Sequence, residues 1–364
     1  MTTTSVMAEW VTPVTFLPSI GGDHSLAKGR VLRVSIAVRW TIGLVCVGAL
    51  VVAAGVNANR TGSGAEARAK LTLVAPAAAG GGWDLVARES QQALRSNGIV
   101  NNVQVVNVPG AAGTIGLSQL SRQDGVPTTM MVTGTVMLGG IVRNDSPVAL
   151  SGMTPIARLA EDFEVIVVPA DSPFQTLGEL LDAWRADPAA MPIGGGSAGG
   201  IDHMVAAQLA REAGIDPAQI RYAAYAGGGE LTINLLSTAP GTPDVGISGY
   251  NDFRDMIAEG RLRTLMVVAP ERLQGLDAPT AAEAGYPAVD LVNWRGYVAP
   301  AGLADTEQQE LVEVVTEMVE TEHWQSAVER NRWKETFLTG DEFGSFITEE
   351  EQRVKTILQD LGLA

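Results

Sequence analysis

The segment "VAPAAAGGGWDLVARES", residues 74–90, runs a short apolar strand into three consecutive glycines and then into a helical pattern. Because glycine lacks a side chain, a turn built from it lets a ligand approach the backbone closely. The helix that follows directs unpaired N–H groups and the positive end of its dipole at the same point. The segment therefore predicts a binding place for an anion where the strand meets the helix.

Three further glycine-rich turns, at residues 110–116, 194–200 and 227–229, also stand between a strand-like run and a helical run. In an open parallel sheet such turns lie at the carboxyl ends of the strands, where ligands bind. Strands that alternate with helices predict an α/β fold whose parallel sheets are covered on both faces. The carboxy-terminal part is expected to hold helices without strands between them, at residues 306–320, 324–333 and 341–361.

Length and charge limit the class of protein. The 364 residues suffice for two domains, and 25 Lys and Arg against 41 Asp and Glu give a net charge of −16. Such an acidic chain is not expected to bind nucleic acid or an anionic membrane surface.

Residues 1–58 have the composition of a leader and signal peptide. Four basic residues between positions 28 and 39 precede an uncharged run at residues 40–56, and small residues follow where a signal peptidase cuts. The alternative is a single membrane anchor, although the run is at the lower limit of length for one. We expect an exported protein, in the periplasm or on the outer face of the cell membrane, and tethered there if the leader is not cleaved. A polar linker is expected at residues 59–70.

The only cysteine, Cys46, lies inside that leader, so the mature chain is expected to hold no disulfide and no thiolate metal site. No cluster of His, Asp and Glu has the spacing of metal ligands, and no cofactor is expected. Glu161, Asp162 and the run "TEEEQ" are interpreted as solvated faces. His203, near a helix start, is interpreted as a capping or packing residue.

Two segments match parts of known enzyme motifs. "GAAGTIG", residues 110–116, has the glycine spacing of some dinucleotide-binding turns, but no acidic residue ends a later strand at the required distance. "GGSAG", residues 195–199, matches a nucleophile elbow centred on Ser197, yet the later histidines, His203 and His323, both fall in helical patterns. A binding protein is therefore favoured, and a cofactor-independent α/β enzyme that uses Ser197 or Asp84 stays open as the alternative.

Six segments, in this order along the chain, together resemble one family. They are "APAAAGGGWD", "NVPGAAGTIG", "IGGGSAGGIDHM", "YAGGGE", "GRLRTLMVVAPERLQGLDAPTAAEAGYP" and "NWRGYVAP". In these segments the chain resembles the extracytoplasmic solute receptors of tripartite tricarboxylate transporters, which are also called the Bug family. Within that family it resembles the tricarboxylate-receptor branch. The resemblance implies a two-lobed periplasmic-binding-protein fold of the Venus flytrap type II, which closes on a carboxylate and docks on a membrane permease.

The resemblance also implies how the site is built. Backbone amides of residues 77–82 and 194–200, one loop from each lobe, would hold the carboxylate, and Asp84 would orient a bridging water. A tricarboxylate such as citrate is the expected ligand, and a sensor that signals to a membrane kinase is an alternative role. The predicted ligand-binding residues are Ala77, Ala78, Gly80, Gly81, Gly82, Trp83, Asp84, Thr133, Gly134, Thr135, Gly195, Gly196, Ser197, Ala198, Gly199, His203, Tyr225, Gly227 and Ser248; none is expected to be catalytic.

The expected lobes divide the chain into three parts. Residues 71–168 and 269–364 are assigned to the first lobe and residues 169–268 to the second, with hinge strands near residues 165–169 and 265–270. A monomer is expected. Because the net charge repels an anion at long range, attraction must be local, with Arg88, Arg221 or Arg295 as candidates. Each of these arginines is interpreted first as a surface or interlobe ion pair.

Overall fold

Two β-sheets organise the protein in this computed structural model, which describes residues 65–237 and 239–364. The predicted leader and the start of the predicted linker lie outside the described residues. The strands are β1 (Lys70–Ala75), β2 (Asn102–Asn107), β3 (Thr129–Gly134), β4 (Thr154–Asp162), β5 (Glu164–Pro169), β6 (Pro192–Gly195), β7 (Arg221–Ala224), β8 (Val245–Gly249), β9 (Leu262–Val268), β10 (Asn293–Ala299) and β11 (Lys334–Thr339).

Helices cover these sheets. They are α1 (Ala65–Ala69), α2 (Gly82–Ser96), α3 (Thr114–Leu120), α4 (Thr135–Arg143), α5 (Leu177–Ala186), α6 (Ile201–Glu212), α7 (Gly228–Leu235), α8 (Tyr250–Ala258), α9 (Asp305–Val319), α10 (Glu322–Arg330) and α11 (Gly340–Asp360). None of those in the described ranges is long and apolar enough to cross a membrane. Helix α1 covers residues 65–69 of the predicted linker, and Arg68 in this helix donates to Glu317. The linker prediction is therefore wrong over residues 65–70.

The first sheet has six strands in the order β11-β4-β10-β3-β1-β2, and the second has five in the order β7-β6-β8-β5-β9. Both sheets are mixed. Strand β1 pairs in parallel with β2 and β3, and β6 pairs in parallel with β7 and β8. Strand β10, however, is antiparallel to β3 and β4, and β5 is antiparallel to β8 and β9.

The prediction of purely parallel sheets is therefore wrong in part. The antiparallel strands β4, β5, β9 and β10 are those by which the chain passes between the sheets, and antiparallel pairing needs no crossover helix. Phe163 alone separates β4 from β5. As a result β5, which was assigned to the first lobe, belongs to the second sheet.

The carboxy-terminal helices α9, α10 and α11 lie within a few residues of their predicted positions. The structure adds strand β11 between the last two, at an edge of the first sheet beside β4, where no strand was expected. Strand β4 and helix α4 were also not predicted.

Helix α2 shows how the glycine segment folds. Its buried positions, which include Trp83, Val86, Ala87 and Leu94, recur at the spacing of one helical face and pack on the main core. Burial of this face fixes the axis of the helix, and its first residue, Gly82, follows directly from the glycine turn. The amino-terminal end of α2 is thereby held at the carboxyl end of β1.

Candidate ligand-binding site

A cavity of about 430 Å³ is bordered by residues of both sheets and of the glycine turns. Three helices of eight or more residues begin at its wall: α2, α7 and α8 have Gly81, Gly227 and Gly249 as their amino-terminal caps. None of these glycine caps has a side chain to satisfy the first N–H groups of its helix. The cavity is therefore surrounded by helix ends that favour an anion.

The first glycine turn is fastened by Asp84. One oxygen of this carboxylate, Oδ2, accepts from the Gly80 amide at 2.8 Å and from Arg88 Nε at 2.8 Å. The other, Oδ1, accepts from Asn107 Nδ2 at 2.8 Å. Burial raises the pKa of Asp84, but the bonds from Arg88, Gly80 and Asn107 outweigh it and lower the pKa overall. Asp84 itself is buried and does not border the cavity, so its proposed contact with a bridging water stays a prediction.

The turn after β2 also borders the cavity, through residues 109–113. Ala111 and Ala112 both have positive φ, 48° and 53°, a conformation that costs energy for a residue with a side chain. Asn144 Nδ2 donates to the Ala111 carbonyl at 3.0 Å and helps to hold it. This turn is one of the four glycine-rich turns predicted from the sequence, but its residues are not among the predicted ligand-binding residues.

The turn between β6 and α6 supplies Gly196 and Ser197 to the cavity. The Gly196 amide donates to Asp202 Oδ2 at 2.5 Å, and its carbonyl accepts from Tyr222 Oη at 2.9 Å. His203 stacks on the Tyr222 ring with a centroid separation of 4.1 Å, and its Nδ1 accepts from the Gly199 amide at 3.1 Å. These contacts hold the turn in its observed conformation.

His203 has a packing role, as the sequence indicated. Burial, with a smaller effect of Arg143, lowers the pKa of His203 to about 4, so the ring is neutral at physiological pH. Its Nδ1 is occupied by a backbone amide and not by the hydroxyl of Ser197.

A buried polar cluster lies against the same cavity, and most of its residues were not predicted from the sequence. Arg295, on β10, donates from Nη2 to Asp162 Oδ2 at 2.7 Å, and both side chains are more than nine-tenths buried. Asn293 Nδ2 donates to Glu164 Oε1 at 2.8 Å, and Ser248 Oγ donates to Asp252 Oδ2 at 2.7 Å. Side chains of this cluster that border the cavity are Asp202, Ser248, Asp252, Asn293 and Arg295.

The interpretation of Glu161 and Asp162 as solvated faces is wrong. Asp162 pairs with Arg295, and Glu161, also buried, pairs with Arg158. Glu350, in the run "TEEEQ", is buried too and pairs with Arg353. The partner of Asp162 lies 133 residues away along the chain, so the burial of Asp162 cannot be predicted from the local sequence pattern.

Burial changes the ionisation of these carboxyl groups. It raises the pKa of Glu164 well above its usual range, with further increases from Asp202 and Asp162. It raises the pKa of Asp202 to about 6 and also raises that of Asp252. Glu164 Oε2 has no hydrogen-bond donor among the described residues. A proton on Glu164 is therefore the arrangement that relieves its repulsion with Asp202.

Some of the predicted site residues border the cavity and others do not. Thr133, Gly134 and Thr135 are buried at the junction of β3 and α4, where Thr135 Oγ1 donates to the Val292 carbonyl at 2.6 Å. Of the three candidate arginines, Arg88 and Arg221 are exposed, whereas Arg295 borders the cavity. Its partner Asp162 lies on the neighbouring strand of the same sheet and both are buried, so the expected surface or interlobe ion pair is wrong for Arg295. The predicted residues that border the cavity are Ala77, Ala78, Gly81, Gly82, Trp83, Gly196, Ser197, Gly227 and Ser248. Those that do not are Gly80, Asp84, Thr133, Gly134, Thr135, Gly195, Ala198, Gly199, His203 and Tyr225.

A sequence profile described as "Tripartite tricarboxylate transporter family receptor" matches residues 86–363. The chain belongs to this receptor family. It is 23% identical over 324 residues to the protein BugT of Bordetella pertussis, covering 88% of this chain and 97% of BugT. It is 29% identical over 248 residues to a protein of Pseudomonas sp. strain P51 encoded in the tcbD-tcbE intergenic region, covering 64% of this chain and 68% of that protein.

Solved structures of other proteins show the same two-lobed fold. The periplasmic binding protein BugD superposes with a TM-score of 0.72 at 20% identity, over 81% of this chain and 98% of BugD. MatC of Rhodopseudomonas palustris, solved with bound malate, gives 0.69 at 20% identity, over 79% of this chain and 98% of MatC. Another R. palustris protein, solved with adipate, gives 0.70 at 20% identity, over 80% of this chain and 97% of that protein. The matched family is one of receptors, and BugD is a periplasmic binding protein.

Proposed function

We propose that the protein is an exported solute receptor without enzymatic activity, which binds a small carboxylate in this cavity and delivers it to a tripartite tricarboxylate transporter permease. One observation supports the carboxylate most directly: three glycine-capped helix ends and a buried arginine surround a single cavity. The malate and adipate in the structures of MatC and its R. palustris neighbour are carboxylates of fitting size.

The magnitudes require several donors. One helix end contributes about 0.3 to 1 kcal/mol to an anion, and roughly 2 kcal/mol when partly buried. A micromolar affinity needs about 8 kcal/mol. Three helix ends together with the charge-assisted bonds of Arg295 can reach this value, whereas one glycine turn cannot. The site is therefore expected to work only when both lobes contribute.

The ligand test is thermal unfolding of the purified protein with di- and tricarboxylates, including citrate, malate and adipate, with amino acids, and with NAD and ATP. A ligand at 100 times its dissociation constant adds about 2.7 kcal/mol to the folded state, which raises the melting temperature by several degrees. A shift with a carboxylate and none with the nucleotides supports the receptor. A shift with NAD or ATP alone would contradict it.

Delivery to a permease needs a separate test. Cells that lack this gene should lose uptake of the labelled ligand, and uptake should return with the wild-type gene. The sensor hypothesis predicts unchanged transport and a lost transcriptional response in the same cells. Fractionation and amino-terminal sequencing of the expressed protein test export and cleavage near residue 58.

A further inference from the structure

The polar groups around the cavity form two sets of opposite chemistry. The donors are the helix ends and Arg295. The Nε and Nη1 of Arg295 have no partner among the described residues, and only 8% of the side chain is exposed. The acceptors are carboxylates and the Oδ1 of Asn293, which is also buried and without a described partner. A buried polar group without a partner costs stability, so a ligand that pairs with both sets gains most.

The donors are placed for a carboxylate. Arg295 uses Nη2 for Asp162, and its Nη1 lies so close to Gly82 that a Cβ there would overlap the guanidinium. The unpartnered Nη1 is therefore next to the first amides of α2. Guanidinium and backbone N–H groups together match the two oxygens of a carboxylate.

The acceptors call for a positive charge. Asp162 already pairs with Arg295, and the acidic groups at the wall, Asp202 and Asp252, form no ion pair with any other described residue. Each uses one oxygen within its own lobe, Asp202 for the Gly196 amide and Asp252 for Ser248. A ligand made only of carboxylates would meet like charge on this side of the cavity.

We propose that the ligand is an amino carboxylate: its carboxylate binds Arg295 and the helix ends, and its ammonium group binds Asp252, Asp202 and Asn293 Oδ1. This inference rests on the carboxylate-receptor function proposed above and defines the ligand class. It also fits the long-range field, because a zwitterion without net charge is not repelled by a chain of charge −16. A bound metal ion is a poorer complement, since no described group of three His, Cys, Asp or Glu is arranged to hold one.

The test compares each standard amino acid with the acid that lacks its amino group, by calorimetric titration of the purified wild-type protein at neutral pH. Aspartate is thus paired with succinate and glutamate with glutarate, and malate and citrate are added. We expect at least one amino acid to bind ten-fold or more tightly than its counterpart and than malate or citrate. Equal or tighter binding of the acids without an amino group would overturn the amino-carboxylate proposal and leave the receptor function standing. Absence of binding by every carboxylate would overturn both.

Two matched variants locate the ammonium subsite. Asp252→Asn should lower amino-acid affinity at least ten-fold and leave the affinity of the acid without an amino group unchanged or higher. Asp255→Asn, on the same helix but exposed, removes the same charge and should leave both affinities unchanged. Asp202→Asn provides a second probe if Asp252→Asn unfolds, which the melting temperature without ligand reports. An equal loss for both ligands in these variants would indicate a structural role and would contradict the subsite.

Discussion

Arg295 and Asp162 form a buried ion pair, 2.7 Å from Nη2 to Oδ2, at the end of β4 where the chain leaves the first sheet. Asp162 Oδ1 also accepts from the Phe163 amide at 2.9 Å, and Phe163 is the single residue between β4 and β5. The same guanidinium borders the ligand cavity. One pair of side chains therefore joins the crossing between the lobes to the binding site.

Breaking this pair is expected to destabilise the protein strongly. Removal of one partner leaves a buried charge without compensation, at a cost of roughly 3–5 kcal/mol. We expect Asp162→Asn and Arg295→Met each to lower the free energy of unfolding by this amount. The double variant should lose clearly less than the sum, because neither charge remains. Urea unfolding of the four proteins measures the coupling, and strictly additive losses would show that the pair does not act as a unit.

Gly82→Ala should impair ligand binding. A Cβ at Gly82 would overlap the Arg295 guanidinium, so the arginine must move from its place beside the helix end. We expect the affinity for the best carboxylate to fall at least ten-fold. Gly178→Ala, near the start of α5 and outside the cavity lining, meets only Thr176 Oγ1 at an ordinary 3.8 Å and serves as the control. Equal affinities of the two variants in a calorimetric titration would show that the position of Arg295 beside the helix end does not matter for binding.

Asp84→Ala should loosen the first glycine turn. The Gly80 amide and Asn107 both lose their acceptor, and such a loss costs about 1–3 kcal/mol. We expect a lower melting temperature together with weaker ligand binding. Arg88→Ala is the control: this side chain is about half exposed, and an exposed ion pair contributes about 0–1 kcal/mol. If Arg88→Ala costs as much as Asp84→Ala, the ion pair and not the turn holds this region.

The glycine turns were predictable from the sequence because their chemistry is local. A strand, a glycine run and a helical face follow one another within residues 70–96, and the backbone needs nothing else to form the turn. The polar cluster was not predictable in this way. Asp162 meets Arg295, and Glu164 meets Asn293, across more than 120 residues, and each carboxylate looks like a surface group in its own segment. Strand β11 was missed for a similar reason, since its pairing partner β4 lies far earlier in the chain.

The burial of Asp202 predicts a pH dependence of stability. Its pKa is raised to about 6 in the folded protein from an ordinary 3.8, so folding favours the protonated form. The stability that this provides is complete below pH 3.8 and is lost as the pH rises through 6. Asp202→Asn keeps an oxygen for the Gly196 amide and cannot ionise. The melting temperature of the variant relative to wild type should therefore rise by a few degrees between pH 4 and pH 7.

His203 contributes the opposite slope to both proteins, because its pKa is lowered to about 4 and its stabilising effect is lost as the pH falls from 6.5. For this reason the difference between the two proteins, and not either curve alone, tests Asp202. A difference that stays constant from pH 4 to pH 7 would contradict the raised pKa.

Gly139→Ala should hinder the approach of the lobes. Gly139 lies in α4, beside the first sheet, and a Cβ there would overlap the carbonyl oxygen of Gly199 in the turn of the second lobe. Contact at this point needs a glycine, so alanine should hold the two lobes apart. We expect a ten-fold or greater loss of ligand affinity with little change in the melting temperature of the ligand-free protein. Gly178→Ala, at the start of α5 and with only an ordinary contact to Thr176, is the control. Small-angle scattering should show that ligand compacts wild type and the control but not Gly139→Ala, and equal compaction of all three would mean that this contact does not limit closure.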